Sequence, residues 1–463
     1  MRTKYIDLID QTFEFPQDEF NLKDDRLIFH GIDLMRLIDE YGTPLKFNYL
    51  PQISYNIQRA KGWFREAMNN LGYGGNYYYS YCTKSNHFSY VLEEVLKNGV
   101  HIETSSSYDI EIIHHLYKKK KIDDGSYIIC NGFKPEKYLE NIAKLIEKTK
   151  LEVIPVVDNT QELQDLMNTI DKPFNIGIRI AAEEEPKFEF YTSRLGIRYR
   201  EIVPFYKSML QNNPQVKVKM LHFFINTGIN DTAYYWNELT KCLRIYCDLK
   251  KVCPELDSLN IGGGFPIKKS LAFDYDYAYM VKEIILQVQK VCADNEIEEP
   301  HIFTEFGSFT VGESGGAIFS ILHQKQQNDR EKWNMIDSSF MTNLPDTWAI
   351  NQRFILLPIN RWNDDYERVL LGGLTCDSDD YYNSEQHSNA IYLPKFNKQK
   401  ILYIGFFNTG AYQETLGGFG GLKHCLIPEP KHILIKRDEH GKIQTELFSE
   451  EQTAKDYMNL LGY

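Results

Sequence analysis

Between about residues 46 and 310 the chain alternates short apolar segments with longer amphipathic ones, and this alternation constrains the fold most strongly. The apolar segments have the length of buried strands, and the amphipathic segments have helical spacing. Repeated strand–helix units predict a parallel sheet, and about eight of them predict an α/β fold of the (β/α)8 TIM-like barrel type. The predicted strands are residues 45–49, 77–82, 101–103, 127–130, 152–157, 174–180, 217–225, 258–261 and 301–305.

The pattern changes after residue 310. Gly-Gly pairs, short alternating segments and Asp/Asn turns follow one another, which is typical of an antiparallel β domain. The predicted strands here are residues 368–371, 390–393, 401–406 and 432–435. Near the N-terminus, residues 27–29 predict a strand, and residues 33–41 predict a helix that ends at Gly42-Thr43-Pro44.

Composition limits the class of protein. The 463 residues are enough for two domains, and the net charge of −12 argues against nucleic acid or an anionic membrane as a partner. Eight cysteines occur without a C-x-x-C pair, which predicts neither a zinc site nor a disulfide framework. The chain begins without an apolar signal region and has no apolar segment of membrane-spanning length. We therefore predict a cytoplasmic protein with free thiols and no metal.

The segment Tyr-Cys-Thr-Lys-Ser-Asn at residues 81–86 contains the first candidate for chemistry. It places Lys84 at the end of a predicted strand, where a parallel barrel carries its catalytic side chains. Lysine is also the residue that forms a Schiff base with pyridoxal phosphate. Taken alone, the position is more typical of an ordinary surface lysine, and the later segments reverse that interpretation.

Two later segments follow predicted barrel strands. The three consecutive glycines Gly262, Gly263 and Gly264 would let backbone N–H groups approach a phosphate, although a flexible turn has the same composition. Glu305 follows the last predicted barrel strand. Its carboxylate would suit the pyridine nitrogen of pyridoxal, or would simply pair with a basic residue in the barrel core.

The turn at residues 374–380 combines a thiol with several carboxylates. It is consistent with an exposed acidic turn or a cation site. It also fits a pocket for a cationic substrate in which Cys376 gives up a proton near Asp377. Tyr412 follows a predicted strand late in the chain and has a hydroxyl suited to a phosphate, as have many of the 31 tyrosines.

Together, these motifs resemble the fold-type III (alanine racemase-like barrel) pyridoxal-phosphate decarboxylases of basic amino acids, which include the ornithine, diaminopimelate and biosynthetic arginine enzymes. The resemblance extends from Gly42-Thr43-Pro44 to Phe419-Gly420-Gly421. Its elements, in order, are residues 81–86, 102–106, 130–134, 262–264, 305–307, 376–377 and 410–412.

Two stretches look most like the arginine decarboxylases: residues 343–352 (Asn-Leu-Pro-Asp-Thr-Trp-Ala-Ile-Asn-Gln) and residues 375–379 (Thr-Cys-Asp-Ser-Asp). A diaminopimelate enzyme would be expected to have Cys-Glu where this chain has Cys-Asp. The resemblance implies a cofactor-binding barrel at residues 46–310. It also implies a C-terminal antiparallel β domain, residues 311–463, that takes in residues 1–45 and completes the active site across a dimer.

The resemblance also assigns expected roles. Lys84 matches the Schiff-base lysine, Glu305 the partner of the pyridine nitrogen, and Cys376 the acid that protonates the α-carbon. Asp346 from one subunit, and Cys376 and Asp377 from the other, match residues that face the substrate. The other residues matching cofactor contacts are Glu103, Arg179, Phe224, Thr227, Gly262, Gly263, Gly264 and Tyr412.

The chain departs from the family at two positions. Phe224 stands where the family has a histidine stacked on the cofactor, and an aromatic ring stacks there but does not titrate. His222, two residues earlier, is expected to be a core histidine one layer deeper. Ser308 stands where the family has a phosphate-binding arginine, and the lost charge is expected to weaken cofactor binding by roughly 1–3 kcal/mol unless another base substitutes.

The resemblance implies decarboxylation of L-arginine to agmatine and carbon dioxide for polyamine biosynthesis, with pyridoxal 5'-phosphate as cofactor. Two carboxylates at the distal end of the substrate suit a planar guanidinium. The alternatives are ornithine, lysine, diaminopimelate or a carboxylated polyamine as substrate. A catalytically silent homologue that binds a partner protein and an amino-acid racemase on the same barrel are the remaining possibilities.

Overall fold

The structure, a computed structural model, describes residues 17–183, 192–329, 331–382 and 391–463. The chain forms two compact units. One unit, here called the barrel unit, comprises Ile53–Pro266 and Tyr275–Thr310. The other, the β unit, comprises the chain up to Gln52, the short segment Ile267–Asp274 and the chain from Val311 onward.

The barrel unit contains a closed barrel of eight parallel strands. Each strand pairs with the next along the chain, and the eighth pairs with the first, which completes the closure. The strands are Tyr77–Cys82, His101–Thr104, Tyr127–Cys130, Glu152–Val157, Phe174–Ala181, Val216–His222, Ser258–Asn260 and His301–Phe306. The short strand Ile197–Arg198 pairs outside the barrel with the fifth of these. The predicted α/β barrel is confirmed.

Helices connect the barrel strands. Several begin at a polar side chain that accepts a hydrogen bond from a backbone N–H of the first turn, as Ser106, Asn159 and Thr232 do. The helices are Pro51–Leu71, Ser89–Leu96, Ser107–Lys118, Glu136–Lys148, Thr160–Thr169, Ile202–Met209, Ala233–Lys250, Tyr277–Asp294 and Ser308–Val311, with short 3-10 turns at Thr83–Ser85 and Tyr199–Glu201.

Large apolar side chains fill the barrel interior. Ile129, Ile154, Val156, Met220 and Phe303 form one buried cluster from four different strands. Because this interior is packed, the chemistry of such a barrel is confined to the carboxyl ends of its strands and the loops that follow.

The β unit contains a ten-stranded mixed sheet and a small three-stranded antiparallel sheet. The small sheet is Phe20–Lys23, Arg26–Phe29 and Ile32–Asp33. The large sheet is Leu45–Tyr49, Gly315–Gln326, Lys332–Ile336, Ile355–Pro358, Tyr366–Gly372, Tyr381–Tyr382, Ile391–Pro394, Tyr403–Phe407, Lys431–Arg437 and Ile443–Ser449. The helices are Leu34–Tyr41, Phe340–Asn343, Pro345–Ala349, Gln413–Leu416 and Ala454–Leu461, with 3-10 turns at Gly312–Ser314 and His424–Leu426.

Apolar side chains cover both faces of the large sheet. Successive residues of a strand point to opposite faces, so Ile318 belongs to one buried cluster and its neighbour Phe319 to another. Phe407 and Phe406 divide between the same two clusters. The N-terminal elements contribute Phe20, Leu27 and Phe29 to the first cluster, which confirms that the N-terminal segment belongs with the β domain.

Four details differ from the sequence-based expectations. Leu45–Tyr49, expected at the start of the barrel region, lies in the large sheet between Gly315–Gln326 and Lys431–Arg437. The barrel unit accordingly begins at Ile53 rather than at residue 46. The sheet is mainly antiparallel, but Leu45–Tyr49 pairs in parallel with Lys431–Arg437, as does Lys332–Ile336 with Tyr366–Gly372. The sixth barrel strand ends at His222, three residues before the expected end.

The error at residues 45–49 has a physical cause. All five residues are buried, although apolar Leu45, Phe47 and Tyr49 alternate in the sequence with polar Lys46 and Asn48, so the sequence pattern does not reveal burial on both faces. A short buried strand in a barrel and one in the centre of a mixed sheet have the same pattern.

Among the described helices, none combines the length and the apolar character that a membrane crossing requires. Residue 390, the first of one predicted strand, lies outside the described residues.

Candidate active site

Lys84 lies in the 3-10 turn that follows the first barrel strand. Its Nζ is 3.3 and 3.4 Å from the two carboxylate oxygens of Glu103, at the end of the second strand. The Lys84 side chain is 45% exposed whereas that of Glu103 is fully buried. The amine therefore reaches solvent from the barrel mouth while a buried carboxylate holds it in place.

The turn that carries Lys84 is fixed by hydrogen bonds. Thr83 Oγ1 donates to the backbone carbonyl of Glu103, and Ser85 Oγ donates to that of Cys82. Tyr81 OH donates to the carbonyl of Asn86. The first and second strand ends are thereby joined, which fixes the position of Lys84 relative to Glu103.

Glu305, on the eighth strand, is held by three side chains from three other strand ends. Asn131 Nδ2 lies 3.0 and 3.1 Å from its two oxygens, Asn260 Nδ2 donates to Oε1 at 2.7 Å, and His222 Nε2 is 3.0 Å from Oε2. Asn131 Nδ2 also lies 2.9 Å from Glu103 Oε1. One amide thus bridges the two buried carboxylates of the barrel mouth.

These neighbours determine the charge of Glu305. Burial disfavours its ionised form, but His222, Lys84 and the Asn131 hydrogen bond outweigh burial and hold the pKa of Glu305 well below its ordinary value. The residue is therefore a carboxylate at neutral pH. His222 was expected to be a core histidine, and it is buried, but it is also the neighbour that keeps Glu305 ionised.

Arg179 and Phe224 lie close together at the ends of the fifth and sixth strands. The guanidinium carbon of Arg179 is 5.7 Å from the centre of the Phe224 ring, within the range of a cation–π contact. Burial lowers the pKa of Arg179, and the nearby charges of Glu305 and Glu103 oppose that shift. Its Nε is buried and has no hydrogen-bond partner in the described part of the chain.

Two loops near the ends of the sixth and seventh strands approach each other closely. A Cβ at Gly263 would lie 2.0 Å from the carbonyl oxygen of Glu305, and one at Gly228 would lie 2.5 Å from that of Gly264. Gly264 itself has φ +103, which favours glycine. Beside them the hydroxyl of Thr227 is buried and lacks a partner among the described residues. Glycine backbone N–H groups next to the Thr227 hydroxyl would fit a small anion such as a phosphate.

Asp346 lies in the short helix Pro345–Ala349 of the β unit. Gln413 Nε2 donates to its Oδ2 at 2.7 Å, and the Asp346 N–H donates to Gln413 Oε1 at 3.3 Å. Burial raises the pKa of Asp346, and the Gln413 hydrogen bond and the charge of Lys269 partly offset this. Tyr412, adjacent to Gln413, has a left-handed backbone with φ 67.

Cys376 and Asp377 lie in a turn of the β unit, and Cys376 is exposed. Its Sγ is 3.5 Å from Sγ of Cys425. The hydrogen bond with this second thiol raises the pKa of Cys376, so the residue remains a protonated thiol at neutral pH. A protonated, exposed thiol is able to donate a proton.

Asp380 holds this turn from behind. Its Oδ2 accepts from the N–H and hydroxyl of Thr375, and its Oδ1 accepts from the N–H groups of Phe340 and Met341. Phe340–Asn343 is the short helix directly before the one that carries Asp346. A single buried carboxylate therefore joins the turn of Cys376 and Asp377 to the segment that leads to Asp346.

The structure thus brings Lys84, Glu103 and Glu305 into one hydrogen-bonded group in the barrel unit. Asp346, Cys376, Asp377 and Tyr412 lie in the β unit. The sequence analysis gave no role to Asn131, Asn260, Asp380 and Gln413. Asn131 lies in a segment that was recognised as a motif, but only the fold shows that its amide reaches two carboxylates.

Comparison with known proteins identifies the family. The family model described as "Pyridoxal-dependent decarboxylase, pyridoxal binding domain" matches residues 57–312, which is more than half of the chain. This chain belongs to that family. It is therefore a pyridoxal-phosphate-dependent enzyme, a carboxy-lyase, and the predicted cofactor is confirmed. The glycine loops with Thr227 fit the phosphate of this cofactor, and the ionised Glu305 fits its pyridine nitrogen.

The individual relatives have low sequence identity with this chain. A biosynthetic arginine decarboxylase from Prochlorococcus marinus (strain MIT 9515) is 22% identical, over 93% of this chain and 85% of the relative. Among solved structures, the biosynthetic arginine decarboxylase of Campylobacter jejuni matches with a TM-score of 0.80 and 20% identity, over 98% of this chain and 90% of that one. A diaminopimelate decarboxylase from M. jannaschii in co-complex with L-lysine matches with a TM-score of 0.78 and 21% identity, over 95% and 97%.

Proposed function

We propose that this enzyme decarboxylates L-arginine to agmatine and carbon dioxide for polyamine biosynthesis. The observation that carries the proposal is the Asp346 carboxylate, which is buried and held by Gln413 within the stretch that most resembles the arginine decarboxylases. The arginine decarboxylase name of the P. marinus relative, whose similarity spans nearly the whole chain, supports the same substrate.

In this proposal the barrel unit holds the cofactor. Lys84 binds it covalently through its amine, with Glu103 as the neighbouring acid. Glu305 holds a proton on the pyridine nitrogen, a role that suits a carboxylate with a lowered pKa. The residues proposed to contact the phosphate or the ring are Arg179, Phe224, Thr227, Gly262, Gly263, Gly264 and Tyr412.

Pyridoxal phosphate supplies the electron sink that accepts the electron pair left when carbon dioxide departs. The protein must then deliver a proton to the α-carbon of the product. Cys376 is suited to this step because its thiol is exposed and its neighbour Cys425 keeps it protonated. Proton delivery to the cofactor carbon that bears the substrate nitrogen would leave the amino group on the cofactor and release the product as an aldehyde instead of the amine.

Substrate choice is assigned to two carboxylates. Asp346 and Asp377 would face the distal guanidinium of arginine, which presents several N–H donors in one plane. A site built to accept such hydrogen bonds rejects substrates that lack the donors by factors on the order of 10⁴. The fixed orientation of Asp346 by Gln413 favours this kind of directional recognition.

The proposal includes a homodimer in which Cys376 and Asp377 complete the site of the other subunit. Several large apolar side chains near these segments are exposed in the single chain, which supports a surface that a second copy covers. They are Trp348, Ile350, Leu374, Leu416, Leu422 and Leu426, all in the β unit.

Product analysis by mass spectrometry tests the proposed reaction. The enzyme loaded with pyridoxal phosphate would receive an equal mixture of L-arginine, L-ornithine, L-lysine and meso-diaminopimelate. Agmatine as the main product is expected, with no product from the Lys84→Ala variant. A different amine would overturn the assignment of Asp346 and Asp377, and the absence of any amine despite bound cofactor would overturn the proposed activity.

A further inference from the structure

A second chemical cluster surrounds Cys376. The ligand-type atoms of Cys376, His424 and Cys425 all lie within 4.8 Å of one another. The two sulfur atoms are 3.5 Å apart, and Asp377 Oδ2 is 3.8 Å from His424 Nε2. Two thiols and an imidazole therefore converge at the surface of the β unit, and the Asp377 carboxylate lies beside the imidazole.

These distances suit a tetrahedral metal ion. Bond lengths of about 2.3 Å for Zn–S and about 2.0 Å for Zn–N place neighbouring ligand atoms of a tetrahedral site roughly 3.3–3.8 Å apart. The sulfur–sulfur distance of 3.5 Å lies within this range, and the imidazole ligand atom lies within 4.8 Å of both sulfur atoms. Thiolate and imidazole are also the ligand types that favour zinc over magnesium or calcium.

The turn that carries Cys376 and the turn that carries His424 and Cys425 are both held on the same short helix, Phe340–Asn343. Asp380 joins that helix to Thr375, next to Cys376, through the hydrogen bonds described above. On the other side, Lys423, next to His424, donates from Nζ to the carbonyl of Thr342. The shared contact with this helix therefore keeps Cys376 close to His424 and Cys425 without any bound ion.

The charge environment permits metal binding. Lys423 is the nearest lysine in sequence, but its side chain is buried and its Nζ lies 2.6 Å from Glu429 Oε2, which neutralises it. The ligand side chains themselves are exposed or half-buried in the single chain. The other six cysteines are buried and do not compete for a metal.

We propose that Cys376, Cys425 and His424 form a zinc-binding site on the β unit, with water as the fourth ligand. The absence of a C-x-x-C pair concealed it, because Cys376 and Cys425 are 49 positions apart and only the fold brings them together. Binding deprotonates both thiols and releases their protons to solvent. Resting on the proposed function, a consequence follows: zinc on Cys376 removes the proton donor, so the metal inhibits the enzyme reversibly.

Cobalt(II) and zinc titrations of the desalted holoenzyme, under a non-thiol reductant, test the site. We expect one zinc ion per chain and, in difference spectra against the metal-free holoenzyme, the visible bands of tetrahedral cobalt with thiolate ligands. Cys425→Ser and His424→Ala should weaken zinc affinity by at least about tenfold. His440→Ala, which removes an exposed histidine outside the cluster, should leave it unchanged. Absence of stoichiometric binding, or equal affinity in all variants, would overturn the site.

The activity measurement separates the site from its consequence. Zinc should inhibit the parent enzyme and a chelator should restore its activity, whereas Cys425→Ser should keep, in the presence of zinc, the rate that it has without zinc. Zinc that binds through these ligands without inhibiting would refute the proton-donor role of Cys376 and leave the site intact. Inhibition of Cys425→Ser equal to that of the parent would overturn the inhibitory consequence.

Discussion

The two regions that carry the candidate chemistry are built on different principles. In the barrel unit, Lys84, Glu103 and Glu305 are joined to one another by side chains, and both carboxylates are buried. In the β unit, Cys376 is exposed, and a buried carboxylate, Asp380, holds its turn through bonds that include three backbone N–H groups. The barrel region holds buried charged side chains in place. The β-unit turn holds only the position of an exposed side chain.

This difference has consequences for substitutions. Removing a member of the barrel group leaves a buried charge without a partner, so it should affect cofactor, folding and turnover together. Removing an exposed side chain from the β-unit turn leaves nothing buried unpaired, so it should affect turnover alone. The following predictions test this distinction, in order of expected effect.

Lys84→Ala should have the largest effect. It should lower decarboxylation by at least about 10³-fold and abolish the visible absorption band of the covalently bound cofactor, because Lys84 supplies the amine that binds the cofactor. Absorption spectra and initial rates measure both changes. Lys97→Ala, an exposed lysine paired with Glu94, is the control and should change neither. A visible band that persists in Lys84→Ala would refute the assignment.

Glu305→Gln should reduce turnover by about 10²-fold, because the amide does not hold a proton on the pyridine nitrogen. It should also change the response to acid. The folded pKa of Glu305 lies below its unfolded value of about 4.3, so its ionisation stabilises the fold above that pH and this contribution is lost as pH falls through the folded pKa.

The thermal midpoint of unfolding, followed by circular dichroism from neutral to acid pH, measures this second effect. The fall in midpoint should be smaller for Glu305→Gln than for the parent protein. Glu298→Gln, an exposed glutamate, should follow the parent curve. Parallel curves for all three proteins would show that Glu305 is not ionised in the folded state.

Cys376→Ala should divert turnover rather than abolish it. With the proton donor removed, part of the product should appear as aldehyde, with progressive loss of activity, while folding is unchanged because the side chain is exposed. Product ratios by mass spectrometry and the thermal midpoint measure these outcomes, with Cys425→Ser as the control that still forms amine. Clean amine at the parent rate would eliminate Cys376 as the proton donor.

Mixing two inactive variants tests whether sites are shared between subunits. Lys84→Ala and Asp377→Ala chains, exchanged into mixed dimers, should recover up to about a quarter of the parent activity, because half of the dimers would be mixed and each would have one complete site. The unmixed variants are the controls. Subunit exchange shown by mass spectrometry without any recovery would indicate that each chain completes its own site.

Asp380→Asn should have the smallest effect on chemistry. Loss of the charge weakens its hydrogen bonds to backbone N–H groups, and we expect the free energy of unfolding to fall by about 1–3 kcal/mol while turnover falls only a few fold. Denaturant unfolding of this variant and of the exposed control Asp379→Asn measures the difference. Equal stability of the two would show that Asp380 does not anchor the turn.

The sequence allowed the barrel to be predicted well because its signal is local. Strand candidates such as residues 77–82, 127–130 and 152–157 agree with the observed strands to the residue, since short apolar segments between amphipathic helices define them. Lys84 and Glu305 were selected because the carboxyl ends of parallel strands converge at one mouth, and Glu103 was selected because it matches a family position.

Hydrogen-bond partners were not predictable in the same way. Asn131 and Asn260 reach Glu305 across 174 and 45 positions of sequence, and no local pattern distinguishes them from other asparagines. Asp380 was one carboxylate among several in an acidic turn, and only its burial marks it as structural. Leu45–Tyr49 was assigned to the wrong unit because a fully buried strand does not reveal which neighbours it pairs with.

The pairing of Leu45–Tyr49 also bears on how the protein is made. This strand emerges early during synthesis, but its two neighbours, Gly315–Gln326 and Lys431–Arg437, emerge about 270 and 390 residues later. The complete barrel sequence leaves the ribosome in between, so the barrel unit is free to fold while this strand still lacks both partners. A chain truncated before residue 431 lacks Lys431–Arg437 and therefore leaves one edge of Leu45–Tyr49, far away in the sequence, unpaired and exposed.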